Sequence, residues 1–136
     1  MEKKYRSLHI KLTPQRLAIL NFLDGNKTHP SAENIYKAVV KTFPTMSFAT
    51  VYNTLEALKN KGTVQELKID SDKRRYDPDI SHHHHIICTK CKNILDVYKD
   101  FRIDLSEDLT QGFELTGNSI EFYGICQKCR MHHELR

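Results

Sequence analysis

Apolar residues in the first part of the chain recur at helical spacing, and the breaks between them carry cap and turn signals. Leu17, Leu20 and Leu23 follow one another at intervals of three behind Thr13-Pro14. Threonine there serves as an N-cap, and proline opens the helix at the position where its missing N–H costs nothing. A second helix starts after Pro30 with Ser31 as its cap, carries Ile35, Ala38 and Val39 as its apolar stripe, and is closed by Phe43-Pro44. A third runs from Ser47 to Lys61 and stops at Gly62. Its Val51, Leu55 and Leu58 fall on one side, which leaves Ala49, Tyr52, Asn53 and Glu56 on the other. A helix that turns small, aromatic and amide groups outward suits a surface that reads another molecule.

Past Gly62 the period shortens to that of strands. Residues 63–69 and 74–77 pair as a hairpin around 70–73, a stretch rich in turn formers. Three helices followed by a basic hairpin make a winged helix-turn-helix, assigned to residues 1–79. After Pro78 the reading is strands at 85–88 and 93–98, a short helix at 103–111 closed by Gly112, and a hairpin of 113–116 with 119–125 turning at Gly117-Asn118. This second unit, residues 80–136, has few strands and open edges, and a second copy of the chain would cover them. The fold class expected is α+β: an N-terminal winged helix-turn-helix followed by a small α/β dimerisation domain with a four-cysteine zinc site.

At 136 residues the chain makes one ordinary domain or two small ones with thin cores, which a structural metal and a partner subunit would support. No apolar run reaches the ~18 residues of a membrane span, and the opening MEKKYRSLHIKL lacks the apolar stretch of a secretion signal, so a cytoplasmic location is expected. The net charge of +4 is unevenly spread: residues 1–79 hold fourteen Lys and Arg against nine Asp and Glu, residues 80–136 seven against eight. The basic half is the candidate for a polyanion, against the plainer reading of a soluble basic surface. Candidate DNA-contacting residues are Arg16, Ala49, Tyr52 and Asn53, with Lys68, Lys73, Arg74 and Arg75 on or beside the wing to meet phosphates.

All four cysteines fall in two Cys-x-x-Cys pairs, Cys88/Cys91 and Cys126/Cys129. Four thiolates from two knuckles suit a closed tetrahedral Zn²⁺ that holds structure and leaves no open position for catalysis. A disulfide framework is the lesser option in a reducing compartment. The zinc deaminases also use Cys-x-x-Cys, but their His-x-Glu element and preceding proline are missing. Four histidines, His82 to His85, precede the first pair. On a strand His83 and His85 share one face and His82 and His84 the other, with Asp96 on the next strand able to meet one of them. Adding Asp77 gives a mixed nitrogen and oxygen shell fit for Fe²⁺ or Mn²⁺. An internal polar stretch without ligand function is the competing reading, and His29, between the first two helices, reads from spacing alone as a loop histidine before a proline.

Taken together, TPQRLAIL at 13–20, HPSAENIY at 29–36, PTMSFATVYNTLEALKNKG at 44–62, HHHHIICTKC at 82–91 and YGICQKC at 123–129 resemble the ferric uptake regulator family of bacterial metal-dependent repressors. The resemblance covers nearly the whole chain. It implies a homodimer with an N-terminal winged helix, a C-terminal dimerisation domain, a four-cysteine zinc and a regulatory metal between the domains. Within the family the chain is most similar to the peroxide-responsive branch. The regulatory shell then maps onto His29, Asp77, His83, His85 and Asp96, where aspartates stand in place of the glutamates usual in iron sensors. His29 and His83 would be the oxidation-sensitive ligands. A further family site departs from the pattern here, with Asn118 where a histidine is used and His84 where an aspartate is common.

The function expected is a metal-dependent (Fe/Mn) repressor that releases a palindromic double-stranded operator when peroxide oxidises its ligand histidines. It would be a sensor consumed by its signal and no enzyme. The alternatives are an iron- or zinc-uptake repressor of the same architecture, a non-haem iron oxygenase with a facial triad, and a zinc-stabilised DNA-binding protein without a sensor site. The last two residues singled out, His132 and His133, read as a solvated tail.

Overall fold

The computed structural model describes residues 10–134, and side chains as far as residue 132; the chain start up to residue 9, which bears on the secretion signal, lies outside the described residues. The chain divides into two compact units, the first ending at Ser81 and the second beginning at His82. Among the described residues no helix is long and apolar enough to cross a membrane.

In the first unit, α1 (Pro14–Leu23) starts with Thr13 accepting the Arg16 N–H. Its buried residues are Ile19, Leu20 and Leu23, whereas Leu17 is only partly buried against the core. Helix α2 (Ala32–Val39) carries a complete capping box: the Ser31 hydroxyl accepts the Asn34 N–H at 3.2 Å, and Asn34 Oδ1 accepts the Ser31 N–H at 3.1 Å. It ends at Val39, earlier than the Phe43-Pro44 pair indicates. Helix α3 (Phe48–Asn60) is capped by Ser47 and buries Val51, Thr54, Leu55 and Leu58. The apolar residues among these join Ile35, Val39, Met46, Val64 and Tyr76 in one core. The burial of about ten aliphatic and aromatic side chains, each contributing roughly 1.5–3 kcal/mol, is what makes this unit stand as a three-helix fold.

Strands β1 (Gln65–Leu67) and β2 (Arg75–Asp77) pair antiparallel as the wing. The second strand is also fastened to the turn between α1 and α2, through the Tyr76 N–H on the Pro30 carbonyl at 2.8 Å and a bridge between Ser31 and Arg75.

The second unit is a three-stranded sheet in the order β4-β3-β5. Strand β3 (His84–Cys88) pairs antiparallel with β4 (Ile94–Val97) and parallel with β5 (Glu121–Gly124). Two expectations need correction. The helix expected at 103–111 is reduced to one turn, α4 (Glu107–Thr110), because Ile103, Leu105 and Leu109 are all exposed and find no core to bury a helical stripe. The expected hairpin does not form: residues 113–116 are not a strand, Phe113 and Leu115 are exposed, and β5 pairs with β3 instead. The chain closes with a helix, α5 (Gln127–Glu134), where the sequence suggests a tail. Few apolar residues of this unit are buried, Ile87 and Ile94 beside Cys88. It therefore leans on something other than a core.

Candidate functional site

That support is the cysteine cluster. The first knuckle leaves β3 at Cys88 and turns through Lys92, whose left-handed backbone (φ 65) lets its N–H reach the Cys88 carbonyl at 2.9 Å. The second knuckle sits where β5 runs into α5. Thr89 N–H on the Gly124 carbonyl at 2.8 Å holds the two knuckles side by side. The ligand sulfurs of Cys88, Cys91, Cys126 and Cys129 all lie within 4.8 Å of one another, with Cys88 to Cys129 and Cys91 to Cys126 each 3.8 Å. A tetrahedral ion with Zn–S bonds of about 2.3 Å sets its sulfurs about 3.8 Å apart, so the four residues fit zinc.

The electrostatics agree with the spacing. Cys88 Sγ accepts the N–H groups of Cys126 and Cys91, both at 3.4 Å, and these hydrogen bonds bring its thiol down to about 5. Hydrogen bonding to Cys126, together with burial, pushes Cys129 up to about 12. Four sulfurs this close do not ionise together unless a cation sits among them.

Each unit also carries part of a histidine and aspartate set. In the first, His29 and Asp77 are both buried, with His29 Nε2 3.5 Å from Asp77 Oδ2. In the second, Asp96 Oδ1 stands 3.1 Å from His83 Nε2 and 3.4 Å from His85 Nε2. This follows from register, since His85 lies opposite Asp96 across the ladder and His83 lies one side-chain repeat before His85. Metal bonds of about 2.1 Å put neighbouring donors about 3.0 to 3.4 Å apart; Asp96 stands at that separation from both His83 and His85, and His29 and Asp77, at 3.5 Å, stand close to it. The donors are imidazole nitrogens and carboxylate oxygens, the chemistry of Fe²⁺ or Mn²⁺. The ring of Tyr98 stacks on His83 with centroids 5.0 Å apart, a support that spacing along the chain does not reveal. His84 faces away: its Nδ1 accepts the Ile120 N–H at 3.0 Å and its ring lies 5.2 Å from Phe101.

The candidate DNA-contacting residues divide. Ala49, Tyr52 and Asn53 lie together on the exposed face of α3, and Lys68 and Lys73 are exposed on the wing. Arg16 is half-buried and donates to the Lys11 carbonyl at 2.9 Å. Arg74 is exposed but pairs with Glu66, which also receives Lys59 at 3.0 Å. Arg75 departs from expectation altogether. It is 8% exposed, and its guanidinium is taken up by Asp70 and by the carbonyls of Thr28 and His29, so it does not present its charge to a phosphate. Strand alternation gave no signal for this, because all three residues of β2 are buried and neither face of the strand is left to solvent.

A sequence profile described as the Ferric uptake regulator family matches residues 7–123. The chain belongs to the ferric uptake regulator family. It is 38% identical over 128 residues to the peroxide-responsive repressor PerR of Staphylococcus epidermidis, spanning 92% of this chain and 85% of the relative. Among solved structures, the fold is similar to the ferric uptake regulator of Francisella tularensis with iron, at 28% identity and a TM-score of 0.73 over 90% of this chain and 96% of that one. It is also similar to PerR of Streptococcus pyogenes, at 34% identity and a TM-score of 0.52 over 94% and 89%. The α+β fold with a winged helix and a four-cysteine zinc-type site is that of the family, and the chain is a metal-dependent repressor of the Fur and PerR type.

Proposed function

We propose that this repressor senses hydrogen peroxide. The observation that carries the reading is the pairing of buried histidines with short carboxylates: Asp96 beside His83 and His85, and Asp77 beside His29. His29, Asp77, His83, His85 and Asp96 together form the regulatory shell, and Cys88, Cys91, Cys126 and Cys129 hold the structural zinc. Two ligands belong to the DNA-binding unit and three to the other, so filling the shell fixes one relative orientation of the two. In a homodimer, two α3 helices so oriented enter successive major grooves of a palindromic operator, with Tyr52 and Asn53 at base edges and Lys68 and Lys73 at phosphates. Metal affinity and DNA affinity then strengthen one another by the same factor.

Ferrous iron, when bound, supplies the reaction with hydrogen peroxide that adds one oxygen to a ligand imidazole and releases water. His29 and His83 are the residues we assign to that change. An oxidised imidazole binds metal poorly, so the shell loses a ligand from each unit and the orientation it imposed is released. Mn²⁺ in the same shell supports repression without this chemistry. The similarity to staphylococcal and streptococcal PerR and the aspartates at 77 and 96 support the peroxide reading. Likeness to the iron-bound Francisella regulator favours a second one, an iron-uptake repressor with the same shell.

Mass spectrometry of the Fe²⁺-loaded protein, before and after stoichiometric peroxide, separates the two. The proposal expects one added oxygen on peptides holding His29 or His83; unmodified histidines with DNA binding intact would leave the iron-uptake reading.

A further inference from the structure

The buried Arg75 is a guanidinium without a role in the function described so far, and its partners are informative. Its Nη1 lies 3.1 Å from Asp70 Oδ2, its Nη2 donates to the Thr28 carbonyl at 3.3 Å, and its Nε donates to the carbonyl of His29. His29 is one of three non-glycine residues with positive φ among the described residues, at 53, and it precedes a proline. A side chain with a Cβ holds that backbone only when its surroundings over-determine it. Here the guanidinium fork binds the carbonyls on either side of the strained residue's N–Cα–C unit, and Asp70 fixes the fork. Asp70 begins the wing turn, with its Oδ1 accepting the Asp72 N–H at 2.9 Å.

We propose that Arg75, anchored by Asp70, is the positioning residue that holds His29 in its left-handed conformation with Nε2 toward Asp77, and thereby ties the ligand pair to the wing turn. The clamp rests on the reading of His29 as a regulatory ligand. It belongs to the DNA-binding unit alone, and it adds a side-chain link from His29 to the wing turn beside the backbone links of β2 to Pro30 and Ser31. Loss of the ligand's grip loosens the His29 backbone, the fork and the Asp70 turn together, while the backbone links at Pro30 and Ser31 remain.

Arg75→Lys keeps a positive charge for Asp70, but a single ammonium does not span a carboxylate and two carbonyls as a planar fork does. Titration of the zinc-containing protein with Mn²⁺ alone, reading free Mn²⁺ by electron paramagnetic resonance, should show affinity weakened by about tenfold or more. DNA binding should return to the wild-type value at saturating Mn²⁺, and amide exchange at residues 28–31 should quicken even before Mn²⁺ is added. A role confined to stability would lower the thermal midpoint without this split. In His29→Ala, adding Arg75→Lys should weaken Mn²⁺ binding no further. An unchanged Mn²⁺ affinity in folded Arg75→Lys overturns the clamp when His29→Ala alone does weaken binding. If His29→Ala leaves the affinity unchanged, the ligand reading itself fails. Should Arg75→Lys not fold, Asp70→Asn takes its place in the same comparison with the same outcomes.

Discussion

Asp96 makes the sharpest demand on geometry of any single residue. One of its oxygens stands within 3.4 Å of two imidazoles, and one added methylene moves that oxygen without removing charge. Asp96→Glu is expected to keep metal-dependent DNA binding and to lose peroxide sensitivity, read as DNA release by the Fe²⁺ form after peroxide addition. Equal release rates in the two proteins would count against the assignment. Asp70 gives a second test at this scale. Burial alone would raise its carboxyl, but the N–H of Asp72 and the guanidinium of Arg75 outweigh burial and hold it below its ordinary 3.8. A carboxyl depressed in the folded state contributes stability that is present above its unfolded value and lost as pH falls through the folded one. The urea midpoint of the wild type should therefore drop between about pH 5 and about pH 2 more steeply than that of Asp70→Asn.

The helices of the DNA-binding unit were legible because each has its own local start signal and an apolar stripe with a core to meet. Thr13-Pro14, Ser31 and Ser47 cap the elements they announce. Ser31→Ala removes the acceptor for the Asn34 N–H and should lower the stability of this unit by about 1 kcal/mol, measured as a shift in urea midpoint at constant slope. The second unit was read less well, for a physical reason. Ile103, Leu105, Leu109, Phe113 and Leu115 are apolar but remain exposed in the single chain, so the longer helix and the hairpin expected there have no core to form against. The cysteine spacing needed no such partner and gave its cluster outright. Strand alternation paired His83 with His85 but left open which histidine face meets Asp96, a choice that came from the family resemblance, whereas the inward turn of Arg75 was hidden by the basic run around it, which read as wing charge.

For the whole molecule, the thin core of the second unit makes the zinc site a condition of folding. Cys88→Ser removes the thiolate that accepts two N–H groups in the cluster. Structural zinc binding is worth on the order of 10 kcal/mol, and most of it doubles as folding energy here. The variant should lose zinc by elemental analysis and sediment as a smaller species; a zinc-free protein of unchanged sedimentation and thermal midpoint would refute the structural role. On the function proposed, metal in the regulatory shell would license DNA binding and peroxide would destroy its histidine ligands. The direct measurement is fluorescence anisotropy of labelled DNA, selected on the Mn²⁺ form, after one equivalent of peroxide is added to the Fe²⁺ and Mn²⁺ proteins in parallel. The Fe²⁺ protein should release DNA and fail to rebind when fresh Fe²⁺ or Mn²⁺ is supplied, while the Mn²⁺ protein stays bound. Retention by both forms, or full recovery of the Fe²⁺ protein on fresh metal, would contradict it.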